Sequence, residues 1–531
     1  MPRWIEPTLH RTRGLDPLGL QTITIDRILP RLVPGVLALS RRARYLSYYP
    51  FLLHEYQERR LTSSNQALSD WIKAREYEYA LAVQLCPRGC GSKAVSVVGR
   101  RRAAPAAQHA DGVIARGESV QSFLGGYGLY YRTPLTDLGL VAPAGSSLSD
   151  DTLTPVDVLM GDHAQSLATE FHQVVSGTTY YTAHMTGTGP IPVEVLRELA
   201  ESACLCRLSD YPAEQELLRQ ALFEPRPDKR GGAVQQRQRS FALFLGLLDQ
   251  APGLVGQEDP DATFRGSIWQ QFDDLADDDN PQAETLAQWA ALVAKEYLQE
   301  GLAGLWSHFC REGLARQLAD GLAPGELDDL VRRGLAGAGS LALPGGSVQH
   351  EPTLRTRFFA DSVLAATAAL SLEELRSWSS KMETAMAGLA LLLVLQRRLP
   401  EARPIPPRWT AIAGQRSDHQ PSLHEFGYGQ LPAHLDTNPT LADTMAWLVH
   451  RFVRSPHETI AYSKLPNFTF RFRWEEGRLR FYSAEDNRFG LVDIRRESMA
   501  RLTEDLGYWA DAEGTAQLTP LGHAFISEVF A

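Results

Sequence analysis

The chain has 531 residues, more than one ordinary hydrophobic core organises, so roughly two to four domains are expected. With 44% hydrophobic and 22% charged residues it has a globular composition, and its formal net charge of −10 excludes coating nucleic acid by bulk positive charge while leaving a local basic patch open. Five cysteines are too few for a secreted disulfide scaffold, the opening MPRWIEPTLHRTRG has no apolar leader core, and the longest apolar run, residues 386–395, is far short of the ~20 residues of a membrane helix.

These limits predict a cytoplasmic protein without a membrane partner. Its expected fold class is mainly α and multidomain. A basic, mostly helical domain spans 1–150, a helical middle domain 151–405, a linker 406–440, and an α+β winged-helix-like domain 441–531.

In chain order, TIDRILPRLVP holds an amphipathic turn or two, limited by Pro30. After Pro34-Gly35, VLALSRRARYLSYYPFLLHEYQERR predicts one long helix or two, interrupted near Pro50, with Arg41, Arg42 and Arg44 fanning from its polar side, pairing with Glu55 or Glu58 or meeting solvent. Tyr45, Tyr48, Tyr49, Phe51, Leu52 and Tyr56 carry too much apolar area to leave in water, because burying one large side chain stabilises by roughly 1.5–3 kcal/mol. Residues 63–85 form a cleaner helix with Trp71, Ala74, Tyr77 and Leu81 on one stripe. The following Gly/Pro/Ala-rich stretch reads as a loop around a short strand at 95–98, with Arg100, Arg101 and Arg102 in the loop.

The middle region repeats apolar residues at i, i+3 and i+4 in residues 154–175, PIPVEVLRELAESACLCRL, AEQELLRQALF and RQRSFALFLGLLDQ. AETLAQWAALVAKEYLQEGLAGLWSHFCREGLARQL is one long helical tract, and MAGLALLLVL is apolar enough to be buried on most sides. RPIPPRW, from Arg403 to Trp409, is a rigid linker or turn. From about Leu441 the chain is expected to turn β-rich for the first time. There NFTFRFRWEEGRLRFY alternates around Glu476-Gly477 as a hairpin, a helix ends near Gly507, a second hairpin turns at Glu513-Gly514, and Thr519-Pro520 opens a last helix. That order, with its LT-x-x-G signature, resembles a winged helix.

No motif names a reaction. Cys86-x-x-x-Cys90 is half of a zinc site, but His54 and His109 are distant in sequence and no second CxxC follows, so it reads as two free thiols in a glycine-bearing loop. Cys204-x-Cys206 sits in a helical pattern, where i and i+2 face apart, and reads as core thiols. GGYGLYY lacks the lysine and context of a phosphate loop. His172 and His184 near Ser176 do not make a triad by proximity in sequence. DDLADDDN lacks the glycine and closing glutamate of a calcium loop. Glu458 with Lys464 and Glu475 comes nearest to a nuclease set, and its carboxylates read as solvated charges. No catalytic residue, metal or cofactor is therefore expected.

Surfaces remain. In the first C-terminal hairpin Arg471, Arg473, Arg478 and Arg480 alternate with Phe470, Phe472, Leu479 and Phe481, which gathers the arginines on one face as a DNA-contacting ribbon. Arg100, Arg101 and Arg102 are the next candidates for phosphate contact, then Arg41 and Arg44.

The segments DPLGLQ, LVPGVLALSRRARYLSYYPFLL, WIKAREYEYALA, VVGRRR, GLYYRTPLTDLGL, PIPVEVLRELAESACLC and LTPLGHAF, in that order, resemble a large set of bacterial proteins encoded in anti-phage defence neighbourhoods beside helicase, ATPase or nuclease genes. The resemblance implies a non-catalytic DNA-binding or scaffolding subunit of a multi-protein defence complex, with those ATPase, helicase or nuclease subunits and double-stranded DNA as partners. A metal-dependent nuclease with a dispersed active site and a transcriptional regulator stay open as alternatives.

Overall fold

The computed structural model describes residues 16–93, 96–109, 111–147, 153–225, 231–256, 258–274, 281–399, 407–482 and 489–531. It is mainly helical, and its described strands pair only as two-stranded antiparallel ribbons. Among the described residues no helix is long and apolar enough to cross a membrane. The chain forms two compact units. One takes the described residues up to 29 and 261–492, the other 30–260 and 493–531. The segment read as a single winged-helix-like domain thus contributes residues 441–492 to the first unit and 493–531 to the second.

The first unit is built on the 36-residue helix Pro281–Arg316, the long tract seen in the sequence, with most of its residues buried. Its partner is Ala385–Arg398, buried from Ala385 to Gln396 as its composition predicts. Glycine lets the two backbones approach. A Cβ on Gly388 would meet the Gly301 carbonyl oxygen at 2.5 Å, and one on Gly301 would meet the Leu392 side chain at 2.6 Å.

The hairpin Phe472–Glu475 and Arg478–Phe481 docks on the end of the same long helix, where Phe309 meets Phe472 and Phe481 edge-on at 5.2 and 5.3 Å. Gly313 leaves room for the Phe481 ring, which an added Cβ would approach to 2.2 Å. Glu476 and Gly477, both at positive φ, form the tight two-residue turn that such a hairpin favours. A further hairpin, Gly339–Leu343 with Gly346–His350, corrects the expectation that the chain first turns β-rich near Leu441. Its signal was Pro344-Gly345-Gly346 between two short alternating runs.

In the second unit Tyr45–Glu58 packs on Gly161–Val175, and Asn65–Gln84 packs on Arg100–Gln108 and Val193–Ala203. Pro50 does not interrupt the first of these helices, as the sequence suggested. It removes one backbone donor, and burial on both sides of it holds the helix together. Tyr45, Tyr48, Tyr49, Tyr79, Tyr131 and Phe171 form a buried aromatic cluster, with Tyr48 stacked on Tyr79 at 4.4 Å.

Beside the aromatic cluster the buried Glu76 carboxylate accepts bonds from the Tyr49 and Ser119 hydroxyls and the Gly126 and Tyr127 N–H groups. Burial raises its pKa, opposed by those donors. Two glycines of GGYGLYY leave room for this carboxylate, since a Cβ on Gly125 would stand 2.5 Å from Glu76 Oε2 and one on Gly126 3.4 Å from Glu76 Oε1.

At the C-terminus Thr519 caps Pro520–Phe530 by accepting from the Gly522 N–H at 3.2 Å, and Gly522 faces the Tyr508 carbonyl oxygen, 2.2 Å from where a Cβ would lie. The LT-x-x-G pattern therefore combines a helix cap with a close backbone crossing. Glu513-Gly514 turns the hairpin before it, as predicted. The strand expected at 95–98 falls partly on undescribed residues, and 96–98 form a turn and loop. Residues 275–280 of the acidic run and 403–406 of the proline-rich linker lie outside the described residues.

Candidate functional site

Two features draw attention, one in each unit. In the second unit, four thiols converge. Cys86 follows the helix Asn65–Gln84, where its N–H bonds the Val83 carbonyl and its own carbonyl accepts from Gly89 in a tight turn. Gly89 has φ +74°, and a Cβ on Gly91 would meet the Gln84 carbonyl oxygen at 2.5 Å, so the turn that brings Cys90 back depends on both glycines.

Cys204 and Cys206 are not mid-helix, which corrects the reading that their side chains diverge. Cys204 is the C-cap of Val193–Ala203, with ψ 149°, and Cys206 lies in the 3₁₀ turn Leu205–Asp210. The break in the helix aims both thiols the same way. The sulfurs of Cys86, Cys90, Cys204 and Cys206 all lie within 4.8 Å of one another, and those of Cys86 and Cys206 are 3.8 Å apart.

Cys86 and Cys204 are buried, while Cys90 and Cys206 are half-buried and border an open cleft of about 410 Å³ shared with Arg42, Arg501, Glu504 and Asp505. The Cys204 thiol, followed by that of Cys90, donates towards Cys206 and with the nearby Arg88 pulls Cys206 far down towards the thiolate. Cys204 is pushed strongly up, by its interactions with Cys206 and Cys90 and by burial. Cys90 is pushed up to about 12, the downward effect of Cys204 being outweighed by Cys206 and burial. Sequence reasoning found each half of this cluster and missed the whole, because the halves are 120 residues apart.

The arginines proposed for phosphate contact in this unit separate sharply. The Arg44 guanidinium is 0% exposed, bonds both carboxylate oxygens of Glu214 at 3.2 and 2.9 Å, and donates to the Cys204 carbonyl at 2.7 Å. It is a core residue, which corrects its place among surface contacts and its expected pairing with Glu55 or Glu58. Arg41 bridges Asp493 and Glu497, and Arg42 clamps Asp505 with two bonds. These residues precede the Tyr45–Glu58 helix, so they do not fan from it. Arg100, Arg101 and Arg102 form the first turn of a helix, not a loop, and Arg101 and Arg102 are exposed.

In the first unit the hairpin sets Arg473, Arg478 and Arg480 on one face, as the alternation predicts, while Arg471 precedes its first strand. Arg473 and Arg480 are cross-strand neighbours, and Phe472, Leu479 and Phe481 point inward. Arg480 and, more distantly, Arg473 share Glu475, at 3.4 and 3.9 Å; Arg478 pairs with Glu326, and the Arg471 backbone N–H bonds His457. Beside this face lies an exposed aromatic patch. Phe468 is 58% exposed and meets Tyr482 edge-on at 5.1 Å; Tyr462, also exposed, packs on Phe470 at 4.9 Å. The Arg473 guanidinium stands over the Tyr462 and Phe470 rings at 5.6 and 5.4 Å.

The nuclease-like set does not assemble. Lys464 is buried against the Asp16 carbonyl, and Glu475 turns to Arg480 and the Tyr482 hydroxyl. His172 packs against Phe51 and Tyr181, while the Ser176 hydroxyl bonds the Gln173 carbonyl. Comparison of the chain with protein-family models, with curated proteins and with solved structures finds no match.

Proposed function

We propose that the protein is a non-catalytic, nucleic-acid-contacting subunit of a multi-protein assembly, and that the hairpin face of its first unit makes the contact. The observation that carries this reading is the pairing of an arginine face with exposed aromatic rings, Tyr462, Phe468 and Tyr482, on one side of Phe472–Phe481. Arginines attract phosphates, and open aromatic rings offer stacking platforms for unpaired bases. Single-stranded or forked DNA is thus the preferred form, and duplex DNA the weaker one. The defence-complex setting, with helicase, ATPase or nuclease partners, rests on the resemblance of the ordered sequence segments.

The test is fluorescence anisotropy with labelled single-stranded, forked and duplex DNA over a salt series. Tyr462→Ala with Phe468→Ala is expected to weaken single-strand binding about tenfold or more, and Arg473→Ala with Arg480→Ala to flatten the salt dependence. Wild-type protein that binds none of these DNAs at low salt overturns the reading. A second reading, protein docking, is favoured by Glu475, Glu476 and Glu326, which offset most of the hairpin's positive charge. Under it the same variants lose a partner subunit in co-purification and leave DNA binding unchanged.

A further inference from the structure

We infer that Cys86, Cys90, Cys204 and Cys206 bind one tetrahedral zinc ion, which ties the end of the Asn65–Gln84 helix to the end of Val193–Ala203. A zinc ion with Zn–S bonds of about 2.3 Å at the centre of a tetrahedron holds its sulfurs about 3.8 Å apart. Cys86 and Cys206 stand at 3.8 Å, and no pair of the four exceeds 4.8 Å. In a polynuclear iron–sulfur cluster the four thiolates are divided among two or more irons, so some pairs lie farther apart than any pair here, and the spacing suits a single ion. An all-sulfur tetrahedron selects a soft or borderline metal, and Mg²⁺ or Ca²⁺ takes oxygen ligands instead.

The loop is built for this purpose. Gly89 and Gly91 allow a turn that no L-residue with a side chain fits without strain, and that turn's consequence is to return Cys90 to Cys86. The helix break at Cys204 does the same for the second pair. Two arginines stand nearby, each also paired with Asp210 at 3.4 and 3.2 Å, and offset part of the double negative charge of a zinc tetrathiolate. Arg88 donates weakly to the Cys206 carbonyl at 3.5 Å, and Arg207 lies within electrostatic reach of Cys206 and Cys86. Arg44 holds the Cys204 carbonyl from the core side at 2.7 Å. Four protein ligands leave no open position for a substrate, so the centre is structural. Binding releases the protons that the thiols still carry, so affinity falls with falling pH.

The experiment uses the full chain purified without chelator or added metal. Elemental analysis is expected to give one zinc per chain. Titration with a mercurial thiol reagent is expected to release that zinc as four thiols are consumed. Cobalt exchanged into the site is expected to show the charge-transfer and d–d bands of a tetrahedral tetrathiolate. Cys90→Ser, at the half-buried edge, is expected to lower metal retention and thermal stability and to shift the cobalt bands. The wild-type measurements stand even where that variant does not fold. Metal-free, folded protein whose four thiols react at once with a thiol reagent overturns the proposal, as does a mass deficit showing that these cysteines are paired in disulfides.

Discussion

The Arg44–Glu214 pair offers the sharpest quantitative test of how this chain uses its arginines. Both side chains are 0% exposed. Glu214 accepts two bonds from Arg44 and one from the Ser47 hydroxyl, while Arg44 also reaches the Cys204 carbonyl and lies over the Tyr211 ring at 4.9 Å. Glu214→Ala leaves a guanidinium buried without its counter-charge, which costs about 3–5 kcal/mol, a large share of the ~5–15 kcal/mol of a typical domain. Replacing both partners, as Arg44→Met with Glu214→Leu, removes the stranded charge and is expected to cost well under half as much. The assay is urea unfolding, followed by hydrogen exchange of the amides in Tyr45–Glu58, which reports on this unit alone. A Glu214→Ala penalty below about 1 kcal/mol, the range of an exposed ion pair, refutes the argument that Arg44 is a core residue.

Three further outcomes are expected. His457 is buried beneath Trp306 and Phe472, donates from Nδ1 to the Pro17 carbonyl and accepts the Arg471 N–H at Nε2, so it is held as the neutral tautomer. Burial, helped by Lys464 and Arg471 and opposed by the Pro17 bond, drops its pKa to about 3. The unfolded chain takes up this proton near pH 6.5 and the folded chain only near pH 3, so stability is full above about 6.5 and is lost as pH falls through that window. His457→Gln, which keeps a donor and an acceptor without titrating, is expected to flatten the slope of urea midpoint against pH between about 4 and 6.5; a slope identical to wild type refutes the assignment. Gly313→Val drives side-chain atoms into the Phe481 ring and is expected to cost about 1–3 kcal/mol, with lost exchange protection in the Phe472–Phe481 hairpin as the readout. Gly522→Ala places a methyl against the Tyr508 carbonyl and is expected to lower the melting temperature, and an unchanged melting temperature refutes the close crossing.

Elements whose causes are local were legible. The turns at Glu476-Gly477 and Glu513-Gly514, the cap at Thr519, the long helix from Pro281 and the buried helix from Ala385 all follow from neighbours within a few residues. The inward phenylalanines and outward arginines of the first hairpin were legible too, because a strand's period of two fixes its faces. Pro50 was misread for a non-local reason: its helix is held by burial of almost its whole length, a tertiary effect that outweighs one missing hydrogen bond.

By itself, then, the amino-acid order determined periodicity, turns, caps and the apolar faces that had to be buried, since these depend on contacts a few residues apart. Which charges face water, and which side chains meet across the chain, was decided by tertiary structure alone. Arg41, Arg42 and Arg44 look alike in sequence, yet only the fold sets Glu214 against one of them and Asp505 against another. The four cysteines make the same point. Each pair has a spacing that means little alone, and their chemistry arises only where the ends of two helices, Asn65–Gln84 and Val193–Ala203, bring four sulfurs within 4.8 Å.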